Sequence, residues 1–135
     1  MALFEWTPEY SVSVLRFDSE HKKLFALINE LNDAMTAGRG RAVVAHVLQE
    51  LSDYTRRHFA GEEEAMRRAG YEGLDAHIAE HRKLTEQVGK YAAEWKANEG
   101  TSPVDLLFFL RNWLQKHIVE TDRKYGMSMN GAGIY

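Results

Sequence analysis

Helical periodicity is the feature that most restricts how this chain can fold. After residue 18, apolar residues recur every three or four positions in four segments, and glycine or proline marks the breaks between them. The expected helices cover residues 19–37, 41–69, 74–98 and 102–125. Long helices joined by short connections predict an all-α fold, an antiparallel up-down-up-down four-helix bundle.

Capping residues support several of these helix ends. Asp18 or Ser19 would cap the first helix, and Gly70 would end the second. Ser102 would cap the fourth helix, with Asp105 placed as in a capping box.

We therefore expect the chain to form one domain, residues 1–135. Residues 1–18 lack a helical period but contain large apolar side chains, so we expect an N-terminal arm packed over the bundle. Residues 19–125 form the bundle. Residues 126–135 form a glycine-rich C-terminal tail that we expect to lie outside the helices.

Composition and charge exclude several classes of function. Seventeen basic and twenty acidic residues give a net charge of -3, without a basic stripe, so nucleic acid is not an expected partner. Glu5 and Glu9 stand where a secretory signal would be positive, and no apolar run is long enough for membrane insertion. We therefore expect a cytoplasmic protein. Because cysteine is absent, any metal must be bound by nitrogen and oxygen.

Five of the six histidines fall on the inner stripes of the expected helices: His21, His58, His77, His81 and His117. One such histidine is more often a hydrogen-bonded core residue than a ligand. Five imidazoles buried with the carboxylates of Glu62 and Asp122 would leave many polar groups unpaired, at about 1–3 kcal/mol each. A metal centre would satisfy them together. His46 matches no ligand position and is expected to be structural or exposed.

The spacing within each helix allows most of these side chains to converge. Residues four apart lie one above the other, so His58 can meet Glu62, and His77 can meet His81. Asp122 follows His117 by five positions, a rotation of about 140° on an ideal helix. Asp122 would have to approach the site from its edge or through a local irregularity of the helix, and the sequence does not distinguish these alternatives.

The number and type of ligands indicate two metal ions. Seven nitrogen and oxygen ligands exceed the four of a tetrahedral zinc ion, and imidazole-rich sites suit iron, zinc or copper. If Glu62, Asp122 and a hydroxide bridge two ions and the histidines divide three and two, one ion is six-coordinate and the other five-coordinate. The second ion would then have an open position for a small ligand.

These residues resemble the hemerythrin family, particularly its single-domain bacterial members. The shared motifs are Asp-x-x-His ending at His21, His-Phe-x-x-Glu-Glu from His58, His-x-x-x-His from His77, and Trp-Leu-x-x-His-Ile-x-x-x-Asp from Trp113. They occur in family order over nearly the whole chain. Hemerythrins are four-helix bundles that bind dioxygen reversibly at a non-haem di-iron centre, so the resemblance implies two iron ions with a hydroxo or oxo bridge.

The resemblance also implies a role for each site residue. One iron would be bound by His77, His81 and His117, the other by His21 and His58, and both by the bridging carboxylates Glu62 and Asp122. An apolar oxygen pocket would be formed by Phe59, Trp113, Leu114 and Ile118. Glu63 and Glu64 rotate away from the ligand stripe, so we expect them on the solvated face.

The expected function is non-enzymatic oxygen transport, storage or delivery by a monomer. Dioxygen is the expected ligand, and an oxygen-consuming recipient protein is a candidate partner. Four alternatives stay open: an oxygen or redox sensor, a di-iron oxidase, a zinc site, and histidines that merely pack. Ferritin-like di-iron oxidases are carboxylate-rich, with a lone Glu on two helices and Glu-x-x-His on the other two, a pattern that this chain lacks.

Overall fold

The computed structural model describes residues 4–38, 41–97 and 103–135, which are mostly helical. A 3₁₀ turn at Pro8–Tyr10 precedes the long helices α1 (Leu15–Thr36), α2 (Arg41–Ala69), α3 (Leu74–Lys96) and α4 (Pro103–Lys116). A π-helical turn (His117–Thr121), a 3₁₀ turn (Asp122–Tyr125) and a short helix α5 (Gly126–Gly131) follow.

Helix α2 packs against α1 and α3, and α1 also contacts α4. The predicted all-α four-helix bundle is confirmed. None of the described helices is long and apolar enough to span a membrane.

Helix α1 begins four residues earlier than predicted. It starts at Leu15, so Asp18 and Ser19 lie inside the helix and the predicted cap is wrong. Phe17 precedes His21 by four positions and is only 1% exposed, so it extends the inner stripe by one turn toward the N-terminus. The burial of this stripe sets the start of the helix, and the capping signal does not.

The residues before α1 form an ordered arm, as predicted. The Phe4 amide donates to Oδ1 of Asn29, and the Phe4 carbonyl accepts from Nδ2 of Asn29, both at 2.8 Å. Asp18 accepts hydrogen bonds from the Val12 amide at 2.8 Å and the Ser11 hydroxyl at 2.7 Å. Phe4 and Val12 are buried. The arm is therefore held along α1 by both polar and apolar contacts.

Helix α2 has the predicted bounds, and its C-terminus shows why. Gly70 has a φ of +66°, a backbone conformation that glycine adopts without strain. Its amide donates to the Arg67 carbonyl at 3.2 Å, while the Tyr71 amide donates to the Met66 carbonyl at 3.0 Å. This pair of bonds satisfies the last carbonyls of the helix and ends it.

Two predicted helix ends fall outside the described residues. The predicted end of the third helix, Asn98, is one of them, and α3 is helical as far as Lys96. The predicted cap of the fourth helix, Ser102, is the other. Helix α4 begins at Pro103, with Asp105 in its first turn.

The prediction that residues 126–135 lie outside the helices holds for 132–135 but is wrong for Gly126–Gly131, which form α5. Met129 is fully buried, and the Asn130 amide side chain donates to the Ser13 carbonyl at 3.0 Å. Glycine disfavours helices by about 1 kcal/mol relative to alanine. Contacts with the arm and with α2 offset that preference here.

Gly126 lies so close to the arm that a side chain has no space. A Cβ atom there would be 2.6 Å from the backbone carbonyl oxygen of Val12. We expect Gly126→Ala to lower the free energy of unfolding by about 1–3 kcal/mol, as overpacking does. Gly89→Ala in α3 meets open space and should raise it by about 0.5–1 kcal/mol. Urea unfolding measures both, and equal effects would contradict the close contact.

Candidate metal centre

Seven polar side chains meet inside the apolar core of the bundle. Each residue is at most 3% exposed. They come from three long helices and from the turns that follow α4: His21 from α1, His58 and Glu62 from α2, His77 and His81 from α3, and His117 and Asp122 from the π-helical and 3₁₀ turns. The structure thus brings together all the residues that the sequence singled out as candidate metal ligands.

These side chains form two groups that share two carboxylates. Within each group, one candidate ligand atom per residue lies within 4.8 Å of all the others. The first group contains Glu62, His77, His81, His117 and Asp122, and the second contains His21, His58, Glu62 and Asp122. Because Glu62 and Asp122 belong to both groups, the arrangement suits two metal ions joined by bridging carboxylates.

Four of the five histidine Nε2 atoms in the centre approach a carboxylate oxygen without forming a hydrogen bond to it. Four Nε2 atoms lie 3.0–3.3 Å from an oxygen of Glu62 or Asp122: those of His21, His58, His81 and His117. None of these nitrogens has a hydrogen-bond partner. Buried polar atoms are costly to leave unpaired. Cations among them would satisfy the set together, so the residues present fit a metal centre.

The two shared carboxylates are ionised despite their burial. Burial raises the pKa of Glu62, but the charge of His58 and the close approach of neighbouring histidines outweigh it, so this pKa is well below its usual range. Burial and Glu62 raise the pKa of Asp122, but His117 and other histidines outweigh them and lower it. Burial lowers the pKa of His58, but Glu62 and Glu20 raise it to about 10. Metal ions and protons therefore compete for the same buried negative charge.

Asp122 reaches the centre through a local irregularity of the helix. Its amide donates to the carbonyl of His117, five residues earlier, across the π-helical turn His117–Thr121. A π-turn places residues five apart nearly one above the other, whereas an ideal α-helix would separate them by about 140°. Of the two alternatives left open by the sequence, the structure has the irregularity.

Two of the histidines have a carboxylate hydrogen-bonded to the far side of the ring. Oε1 of Glu20 is 2.6 Å from Nδ1 of His58, and Oε2 of Glu63 is 2.9 Å from Nδ1 of His81. Burial raises the pKa of Glu20, but the contacts with His58 and then Arg16 outweigh it and lower this pKa. A carboxylate at Nδ1 keeps a proton on that nitrogen, so Nε2 is left free to bind a metal.

The prediction that Glu63 lies on the solvated face is wrong, and Glu20 was not predicted at all. The Glu63 side chain is 24% exposed and extends along the side of α2 to His81 on α3. Glu64 is exposed, as predicted. Glu20 precedes His21, and Glu63 follows Glu62, so an acidic residue next to a candidate ligand is the signal that could have found both.

Apolar and aromatic side chains enclose the group that contains three histidines. The four residues predicted to form a ligand pocket are buried: Phe59, Trp113, Leu114 and Ile118. The Phe59 ring stacks on His81, with centroids 3.8 Å apart and planes 6° apart. The Trp113 ring stacks on His117 at 6.0 Å. This group therefore has largely apolar and aromatic neighbours beyond its ligand atoms.

Most of the chain matches one protein family. The model of the hemerythrin HHE cation binding domain matches residues 13–127. The chain belongs to the hemerythrin family. It is 36% identical over 127 residues to a bacteriohemerythrin of Methylococcus capsulatus, covering 93% of this chain and 96% of that protein. It is 29% identical over 122 residues to a myohemerythrin of Theromyzon tessulatum, covering 90% of each.

Solved hemerythrin structures share the fold from end to end. A wild-type hemerythrin superimposes with a TM-score of 0.89 at 35% identity, covering 95% of this chain and 98% of that one. A hemerythrin variant with a leucine replaced by tyrosine gives a TM-score of 0.90 at 35% identity, covering 96% and 98%. The four-helix bundle of this chain is therefore that of the hemerythrin family.

Proposed function

We propose that the protein binds dioxygen reversibly at a di-iron centre and serves in oxygen transport, storage or delivery. The observation that carries the proposal is the pair of buried groups that share Glu62 and Asp122, in a chain of the hemerythrin family. Dioxygen is the ligand in this proposal, and a separate oxygen-consuming protein is the recipient.

The ligand assignment follows the two groups of side chains. One iron would be held by His77, His81 and His117, the other by His21 and His58, with Glu62, Asp122 and a hydroxide or oxide as bridges. The iron with two histidines would have fewer protein ligands, which would leave room there for a small molecule. Two ferrous ions would supply the electrons that dioxygen takes up on binding and returns on release.

The protein around the iron would make binding reversible. Phe59 contacts the rings of both His58 and His81 and so lies beside both groups; with buried Trp113, Leu114 and Ile118 it would keep water and external reductants away from the centre. Five neutral imidazoles donate less negative charge than the carboxylates of ferritin-like oxidases, so higher oxidation states of iron are harder to reach. Both features favour oxygen binding over oxidase chemistry.

Reconstitution tests the metal and the ligand together. The metal-free protein would be loaded anaerobically with ferrous iron, freed of excess metal, and assayed for iron content and oxygen uptake. We expect two irons and one dioxygen per chain. Fewer than two irons per chain, or a loaded protein that takes up no oxygen, would contradict the proposal.

The carboxylate behind His81 should strengthen iron binding. Glu63→Gln removes the negative charge at Nδ1 of His81 but preserves size, and loss of such a partner typically weakens metal affinity about 10–100-fold. Glu64→Gln, at the exposed adjacent position, is the matched control and should change nothing. Competition with a chelator measures both affinities. Equal affinities would show that the Glu63 contact does not tune the centre.

A further inference from the structure

Tyr125 forms a buried hydrogen bond with one oxygen of a shared carboxylate. Its hydroxyl donates to Oε2 of Glu62 at 2.5 Å, and both residues are fully buried. The Tyr125 ring stacks with His77 at 5.7 Å and meets Phe17 edge to face at 5.7 Å. Because the hydrogen atom lies on the phenol, Tyr125 is the donor and the carboxylate is the acceptor in this bond.

The two turns after α4 bring Tyr125 to this position. The π-helical turn aligns Asp122 with His117, and the 3₁₀ turn Asp122–Tyr125 has three residues per turn, so Tyr125 stands above Asp122. In a regular α-helix, Asp122 would point away from the face of His117. The same irregularity thus supplies a carboxylate to the centre and a hydrogen-bond donor to the other carboxylate.

The two oxygens of Glu62 have different surroundings. Oε1 lies 3.3 Å from Nε2 of both His58 and His81, and it accepts no hydrogen bond. Oε2 lies 3.4 Å from Nε2 of His21 and accepts the hydrogen bond from Tyr125. In the described part of the chain, this is the only hydrogen bond that orients the Glu62 carboxylate.

A carboxylate that bridges two metal ions through both of its oxygens must turn one oxygen toward each ion. The last torsion of a glutamate side chain has a broad energy minimum, so a free carboxylate can turn until both oxygens face one ion. A donor fixed at Oε2 opposes this rotation, because turning the carboxylate would break the hydrogen bond. It uses one lone pair of that oxygen and leaves the other for a metal.

We propose that Tyr125 is a positioning residue that holds Glu62 in its bridging orientation and thereby promotes binding of the second metal ion. This inference rests on the proposed dinuclear centre. If Tyr125 only packed in the core, its removal should not affect one metal ion more than the other. A positioning role predicts a larger effect on binding of the second metal ion than on binding of the first. The first ion can still bind when the carboxylate turns, whereas the second ion then lacks its share of Glu62.

Titration of the metal-free protein with Co²⁺, followed by calorimetry and visible absorption, tests the proposal. Tyr125→Phe removes the hydroxyl but keeps the ring. We expect the second Co²⁺ to bind about 10–100-fold more weakly, as for other groups that orient metal ligands, and the first to bind as in the wild type. Tyr91→Phe is the matched control, because Tyr91 packs on Phe109 at 4.9 Å and its hydroxyl makes no hydrogen bond in the described residues. It should leave both events unchanged.

A second variant separates the hydroxyl from the packing of its ring. Phe17→Leu disturbs the ring contact but leaves the hydrogen bond, so it should lower the unfolding temperature without selective loss of the second Co²⁺. Selective loss in Phe17→Leu, or unchanged second-ion affinity in Tyr125→Phe, would overturn the role of Tyr125. Fewer than two ions in the wild type would instead overturn the proposed dinuclear centre.

Discussion

Replacing His77 or His117 by alanine is expected to abolish stable iron loading. Their Nε2 atoms lie 2.9 and 3.0 Å from Oδ1 of Asp122, so both approach the same bridging carboxylate. Each substitution removes a ligand and leaves buried negative charge without a partner, which costs several kcal/mol in a site that excludes water. Elemental analysis after anaerobic loading and desalting gives the iron per chain.

His46→Ala provides the matched control for these substitutions. The His46 side chain is 71% exposed and contacts Glu50 at 3.3 Å on the surface of α2, away from the candidate centre. Its replacement should leave two irons per chain. Equal loss of iron in all three variants, with helical content retained by circular dichroism, would contradict the ligand assignment.

Enlarging Leu114 is expected to slow oxygen entry without removing iron. Leu114 is 1% exposed and stands one turn before His117, so a tyrosine there must occupy space beside the centre. Each ~1.4 kcal/mol added to the barrier for entry slows binding about tenfold. We therefore expect Leu114→Tyr to lower the oxygen association rate by about one order of magnitude or more. Flash photolysis or stopped-flow mixing measures this rate.

A tyrosine at an exposed position of the same helix tests whether the effect is local. Phe108 is half exposed, so Phe108→Tyr adds only a hydroxyl at the surface. It should change neither the iron content nor the association rate. An unchanged rate in Leu114→Tyr, with two irons bound, would place the oxygen pocket elsewhere in the bundle.

The sequence predicted the fold well because helical periodicity and helix-ending glycines are local signals. Gly70 identified the end of α2 correctly, since the left-handed conformation there suits glycine. The start of α1 was predicted four residues late because the burial of Phe17 outweighed the capping signal at Asp18. Helix α5 was missed because its stability depends on contacts with the arm, such as the bond from Asn130 to Ser13.

The candidate site was predictable where its residues share a helical stripe. His58 with Glu62, and His77 with His81, converge because each pair is four residues apart. The approach of Asp122 was not predictable, since a π-helical turn leaves no clear pattern in the sequence.

The partners behind the ligands were missed because they depend on how the helices pack. Glu20 contacts His58 across 38 positions, and Tyr125 contacts Glu62 across 63. Periodicity indicates which face of a helix points inward, but it does not indicate which residues on neighbouring helices will meet.

The visible spectrum of the reduced, iron-loaded protein during repeated oxygen cycles tests the central claim most directly. Oxygen would be admitted to protein with a known iron content and then removed under argon. We predict two irons per chain and a colour that appears with oxygen and disappears on its removal, cycle after cycle. A single oxidation that only a reductant can reverse would contradict reversible oxygen binding and indicate an oxidase or a redox sensor.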